Sequence, residues 1–174
     1  MDTNSKGITT GLRYANGPIG VALTYDQVKN DAAEAIFGTD KVQQWNIGAS
    51  YDFEVVKLHA GFGQTRDGLI GAYGYQGLGV SGTIFAEDLD ANLYTVGLSA
   101  PVGASGRVMA SWAMADFDDV GGVKMEKQNI YSLGYTHGIS KRTNVYAYGS
   151  YAKDLYGIDD TKSTAIGVGV RHQF

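Results

Sequence analysis

The stretch Gly7-Ile-Thr-Thr-Gly-Leu-Arg-Tyr-Ala-Asn-Gly-Pro-Ile-Gly-Val-Ala-Leu-Thr-Tyr-Asp26 decides how the chain is to be read. Ile8, Thr10, Leu12 and Tyr14 alternate with Gly7, Thr9, Gly11 and Arg13. After Asn16-Gly17-Pro18, Ile19, Val21, Leu23 and Tyr25 alternate with Gly20, Ala22, Thr24 and Asp26. Successive side chains of a strand point to opposite faces, so a period of two separates an apolar face from a small or polar one. Two such runs meeting at Asn-Gly-Pro predict two strands joined by a short turn.

The same pattern continues outward from this stretch. Trp45, Ile47, Ala49 and Tyr51 alternate with Gln44, Asn46, Gly48 and Ser50, and Val56, Leu58, Ala60 and Phe62 with Lys57, His59, Gly61 and Gly63. Tyr94, Val96 and Leu98, then Val108, Ala110 and Trp112, then Tyr131, Leu133 and Tyr135, and finally Ile166, Val168 and Val170 repeat the scheme. The Tyr-rich run Thr143–Tyr151 is a further strand whose faces the alternation leaves open. The count comes to about nine strands.

Alternation alone also fits a soluble half-buried sheet, and three features favour a membrane barrel instead. The segments run about 10 to 12 residues, the length of a tilted strand crossing hydrocarbon. One face is aliphatic and aromatic, while the other carries Gly, Ser, Thr, Asn, Gln and charge, which suits a wet lumen better than a dry core. The connections also alternate in length. Short turns are expected near 16–17, 52–54, 101–105 and 138–140, and long loops over 28–41, 66–92, 118–125 and 154–161, the asymmetry of outer-membrane barrels. The segment 66–92 resists the scheme. Leu69–Tyr75 and Leu78–Phe85 could each be strands, forming an extra hairpin, extending their neighbours or folding into the lumen.

Composition agrees. The 174 residues include 25 Gly and 12 Tyr but no Cys, which excludes a disulfide framework and most thiolate metal sites. Uninterrupted apolar runs are too short for a bilayer-spanning helix. The opening Met-Asp-Thr-Asn-Ser-Lys lacks an apolar signal region, so an exported protein is expected here in mature form or as part of a longer chain. A formal charge of −4 argues against general nucleic-acid binding.

On this topology most of the 18 acids fall in the long loops or at the strand ends beside them. Arg13, Lys57, Arg107, Lys141, Arg142 and Arg171 lie toward the short turns, near Asp52 and Glu54. Arg13, Lys57, Arg107 and Arg171 have lumen parity, which His59 shares, as a membrane barrel requires, because a charge facing lipid is costly. Arg13, Lys57, Arg107, Arg142 and Arg171, with His59, are the candidate pore-lining residues. They could set a mild anion preference, or merely stay hydrated or pair with an inward-folded acidic loop. The acidic loops could hold divalent cations that bridge to lipopolysaccharide phosphates, or be simply solvated.

Several ordered stretches together resemble the general porins of Gram-negative bacteria, in particular the betaproteobacterial type. They are Tyr14–Tyr25, Trp45–Phe53, Lys57–Thr65, Val96–Gly103, Leu133-Gly-Tyr with Ser140–Tyr146, and Ala165–Phe174. The resemblance implies an all-β, antiparallel transmembrane barrel of about 16 strands, to which this chain contributes about nine. It also implies a homotrimer whose constriction loop lies upstream of Met1. The missing strands would come from a longer parent chain or another chain. Phe174, with His172 and Val170, resembles the C-terminal signal read by the barrel-assembly machinery. A last strand can add to a sheet edge through main-chain bonds while its side chains fill pockets.

No cofactor or metal site is expected. His59, His137 and His172 lie on different strands with no carboxylate pair at metal spacing. No nucleophile-elbow, zinc-protease or phosphate-loop motif occurs. His59 with Asp52 or Ser50 is the one set an enzyme could use, at the end opposite to that used by barrel enzymes. The expectation is therefore a diffusion channel for small hydrophilic solutes and ions. A non-conducting barrel whose acidic loops serve adhesion or receptor binding is the competing one.

Overall fold

The computed structural model describes residues 5–70 and 82–174. In chain order the strands are β1 (Ser5–Asn16), β2 (Ile19–Asn30), β3 (Lys41–Asp52), β4 (Lys57–Arg66), β5 (Gly68–Ile70), β6 (Thr83–Phe85), β7 (Ala91–Val102), β8 (Gly106–Phe117), β9 (Gln128–Gly138), β10 (Thr143–Lys153) and β11 (Lys162–His172). All but β5 and β6 join one antiparallel sheet of nine strands, each paired with its neighbour in sequence, with β4 pairing to β7. β1 and β11 are its edges, so these strands make an open wall rather than a closed ring.

Register keeps the two faces separate across the whole wall. A row on one face runs from Arg13 through Ala22, Gly48, Gly61 and Thr95 to Ser163. The neighbouring row, on the other face, runs from Leu12 through Leu23, Ile47, Phe62, Tyr94 and Met114 and then turns polar at Asn129, Lys153 and Lys162. That row starts midway along β1 and ends at the long-loop end of β11. The strands therefore tilt across the sheet, as they must in a barrel.

Apolar side chains stand exposed on the second face. Ile166 and Val168, for example, are 83% and 79% accessible, and Leu12, Leu98 and Leu133 share their face. A contiguous apolar surface of this extent marks contact with lipid or protein, and it is bounded by aromatic rings above and below. Trp45, Phe62 and Tyr94 form a packed upper group, with ring centroids 5.5 Å and 5.2 Å apart. The Trp112 indole donates to Asn129 at 3.0 Å, keeping its polar end toward the loops. At the lower edge, Tyr51 packs on Phe53 and His172 on Phe174. This is a transmembrane barrel wall with its apolar face outward.

The structure resolves the faces of β10. Tyr146 and Tyr148 point inward, opposite Gly169 and Gly167, while Val145, Ala147 and Tyr151 point outward. A Cβ added at Gly167 or Gly169 would overlap the facing tyrosine ring. Glycine on β11 is thus what lets two bulky rings lie flat against a wall of mostly small residues.

The connections differ at the two ends. At one end residues 17–18, 53–56, 103–105 and 139–142 join strands directly, with Gly17 at φ 53° in the first of these. At the other end the chain builds more. β5 pairs with β6 over three residues each, while most of the strands expected over Leu69–Tyr75 and Leu78–Phe85 falls in residues 71–81, outside the described residues. Gly68 has φ 140°, with the Ile84 carbonyl and Val42 occupying the space a Cβ would need. The β5–β6 pair rests on the inward face, where Val42 and Thr65 are fully buried, and the Thr65 hydroxyl donates to the Gly68 carbonyl at 2.5 Å.

Beside it, Ala91, Ala115 and Phe117 form an inward-facing apolar cluster with Leu69, Leu89, Leu93 and Met125. The inward face is therefore not uniformly wet, because its loop end is a small dry core. Strands also extend further toward the loops than the alternation marks, with β2 reaching Asn30 and β9 starting at Gln128. Outward hydrogen bonds such as Gln43 to Tyr25 (2.6 Å) and Gln64 to Asn92 (2.7 Å) continue the sheet above the apolar band.

Candidate functional site

The candidate site is the inward face below the loop core. Its floor is short side chains, because Gly61, Gly97, Ser111, Ser132, Gly134 and Ser150 sit where strands need only keep the parity of the row. Hollows open on this face, one lined by His59, Thr95, Gly97, Ser111, Ser132 and Tyr148 and another by Asn46, Gly61, Thr95 and Ala113. Ser132 and Ser150 bond to each other at 3.0 Å and Asn46 donates to Thr24 at 3.3 Å, so these polar groups of the wall are satisfied among themselves, with Met109 and Ile130 as apolar neighbours on the same face.

Cations divide by end and by face. Arg13, Lys57, Arg107 and Arg171 all stand on the inward face toward the short turns. Arg142 lies in the turn 139–142 at the same end, where its carbonyl accepts from the Gln173 amide at 2.9 Å. Arg107, Arg142 and Arg171, with Lys141, line a single hollow, whereas Arg13 stands apart on β1 and Lys57 and His59 on β4. Arg107 donates to the Ser99 hydroxyl at 3.4 Å, and Ser99 is the cross-strand partner of Lys57. Among the described residues none of these basic side chains forms an ion pair, even though Asp52 lies opposite Lys57. Asp52 instead caps its own turn, accepting from the Glu54 amide at 2.9 Å.

The loop end is the reverse. Lys29, Arg66, Lys153 and Lys162 end their strands on the outward face, and each pairs with an acid: Lys29 with Asp40 (2.9 Å), Arg66 with Asp90, Lys153 with Asp154 (3.1 Å) and Lys162 with Asp160. Lys127, just before β9, meets Asp116 at 2.7 Å. Within the loops the Lys162 ammonium, through a hydrogen bond, holds the Asp160 carboxyl below the usual carboxylate range. Glu126 likewise raises Lys124 above the ordinary amine.

His59 faces Ser50 across β3–β4 but makes no hydrogen bond to Ser50 or Asp52. At the chain's end Val170 and His172 lie on the outward face of β11. The His172 ring meets the Thr143 hydroxyl at 2.9 Å and packs 4.9 Å from Phe174. Sequence reasoning missed the inward tyrosines 146 and 148 and the apolar rim cluster. The glycines opposite the tyrosines were a usable signal, since Gly167 and Gly169 alternate at the spacing of Tyr146 and Tyr148.

Comparison with known proteins places this geometry. A Gram-negative porin family model matches residues 2–159. An outer membrane porin protein of Bordetella pertussis is 48% identical over 184 residues, covering 98% of this chain and 47% of the relative. Outer membrane porin protein 32 of Delftia acidovorans is 32% identical, covering 94% and 45%. The chain thus spans about half the length of the curated relatives it matches. Among solved structures, a porin refined at 1.8 Å superposes with a TM-score of 0.63 at 15% identity, covering 98% of this chain and 52% of the other. OmpF of Salmonella typhi gives 0.63 at 18%, covering 95% and 49%. At these identities the two structures speak for the fold alone.

Proposed function

Because the chain belongs to the Gram-negative porin family and to the bacterial outer membrane, we propose that it forms the C-terminal half of the wall of a water-filled channel. That channel passes small hydrophilic solutes and ions by passive diffusion. The observation that carries this reading is the separation of faces, held in register across the nine-stranded sheet: a continuous aliphatic and aromatic surface outward, and, below the loop core, mostly glycine, small polar and basic residues inward with Tyr146 and Tyr148 laid over glycines. Acyl chains solvate the first face and water the second. The remaining strands of each barrel come from a longer parent chain or another chain, and the barrels assemble as a homotrimer.

Arg13, Lys57, Arg107, Arg142 and Arg171, with His59 beside them, give the channel a mild anion preference. An unpaired cation in a low-dielectric wall projects its field into the lumen, whereas a paired one cancels most of it. Val170, His172 and Phe174 present the strand that the assembly machinery engages.

Planar-bilayer recording of the assembled channel in a salt gradient tests the proposal. Ohmic conductance with a reversal potential on the anion side is expected, shifting toward cations in an Arg107→Glu, Arg171→Glu double variant. A protein that inserts but stays silent would move the assignment to adhesion or receptor binding by the acidic loops.

A further inference from the structure

The hollow at the short-turn end differs from the rest of the inward face. Four cations, Arg107, Lys141, Arg142 and Arg171, line it, and no acidic side chain does. They arrive from three separate places, the start of β8, the turn 139–142 and the end of β11, so the hollow is bounded on more than one side. The turn is fixed to β11 by the Gln173 amide donating to the Arg142 carbonyl, which ties the Arg142 and Arg171 segments together. The floor between Arg107 and Arg171 is polar, made by Thr136 and Asn144. The Asn144 Oδ1 is buried there with no hydrogen-bond partner, beside the backbone of its cross-strand neighbour Arg171. That oxygen is an acceptor, so an anion's contacts here are the guanidinium and ammonium N–H groups around it and not the amide oxygen.

We infer that this hollow is a binding site for polyvalent oxyanions, of the class of pyrophosphate and longer polyphosphates, at the mouth of the channel on the short-turn side. A single chloride or orthophosphate can engage one or two of the four cations at a time. A chain of phosphoryl groups can span the β8 side and the β11 side together, and guanidiniums suit such bidentate contacts. Binding here rests on the channel reading only for its consequence, which is that a bound polyanion would impede smaller anions entering from that side.

The test uses the assembled protein in detergent micelles and inorganic pyrophosphate as the probe, with affinity read by calorimetry and by ³¹P line broadening. Pyrophosphate is expected to bind more tightly than orthophosphate at equal ionic strength. The Arg107→Gln, Arg171→Gln double variant is expected to weaken it by about tenfold, the effect of losing two partly exposed charge contacts. Lys141→Gln, in a turn and outside the sheet, should weaken it less without touching assembly, and Arg66→Gln at the opposite end should leave it unchanged. Equal affinity for the two phosphates, or equal loss in the Arg66 variant, would overturn the site. In bilayers, pyrophosphate added on the short-turn side should reduce chloride current at lower concentration than on the loop side. A channel that conducts without this asymmetry also counts against the site. A protein that never conducts refutes the channel reading, and the micelle titration then decides the site by itself.

Discussion

Arg66 and Arg107 show how differently the two ends of this wall treat a guanidinium. Arg66 ends β4 at the loop side, faces outward and is paired with Asp90. Arg107 begins at the short-turn side of β8, faces inward and has only the Ser99 hydroxyl, at 3.4 Å. The contrast extends to their neighbours, since Lys29, Lys153 and Lys162 behave as Arg66 does, and Arg13, Lys57 and Arg171 as Arg107 does. Parity and height are therefore coupled. Lysines and arginines of the strands face outward only above the apolar band, where Lys29, Arg66, Lys153 and Lys162 are paired with acids while Lys6 and Lys41 lie across from Lys29. Below that, Arg13, Lys57, Arg107 and Arg171 all face inward, and among the described residues none of them is in an ion pair.

The coupling is most directly broken by moving a cation one residue. On β4, Ala60 faces outward near mid-height and His59 inward. Ala60→Arg is expected to destabilise the folded barrel by about 2–4 kcal/mol, the cost of an arginine near the bilayer midplane. His59→Arg should cost far less, because its charge enters water. Reversible urea unfolding from lipid vesicles measures both. Similar costs for the two would mean that the faces are not solvated differently, and the comparison would fail.

A second, smaller effect sharpens the difference in pairing. Substituting Arg66→Glu with Lys153→Glu at the loop end should leave the reversal potential of the assembled channel nearly unchanged, since those positions face outward and salt screens their charge from the lumen. The same number of charges reversed at Arg107 and Arg171 should change the anion-to-cation permeability ratio several-fold. Recording both double variants in one salt gradient compares them directly. Equal shifts would show that net charge, rather than face and pairing, governs the current.

The strands and the inward parity of Arg13, Lys57, Arg107 and Arg171 were legible in the sequence because both rest on a period of two, which local order preserves whatever surrounds it. Thr143–Tyr151 was ambiguous for the same reason. Tyrosine is at home on either face, and only the pairing of β10 with β11 shows that Gly167 and Gly169 make room inward. The rim cluster was only half legible, because Ala91, Leu93, Ala115 and Phe117 keep the inward parity of β7 and β8, while Leu69, Leu89 and Met125 reach them from β5 and the loops, which share no period with the strands. The ion pairs were half legible. Sequence shows that acids crowd the long loops, but that Arg66 meets Asp90 rather than its neighbour Asp67 depends on how β5 and β6 fold back.

The smallest expected effect concerns one such pair, Asp160 with Lys162. The Lys162 ammonium hydrogen-bonds the Asp160 carboxyl and holds it below the usual carboxylate range of about 3.9. A depressed folded value means that whatever the contact adds to loop order is present above the unfolded value. It is lost as pH falls through the folded one, so the loop 154–161 should be insensitive to pH from neutrality down to about 4 and loosen only below it. Both side chains are solvent-exposed, so the contribution is slight and salt-screened. Carbon-13 chemical shifts of the Asp160 carboxyl in micelles read the titration directly. The midpoint should lie below that of a model aspartate and rise toward it in Lys162→Gln or in high salt. A midpoint already at the ordinary value in the unsubstituted protein would mean that the loop-end cations are no better paired than Arg107, and that face alone separates the two ends.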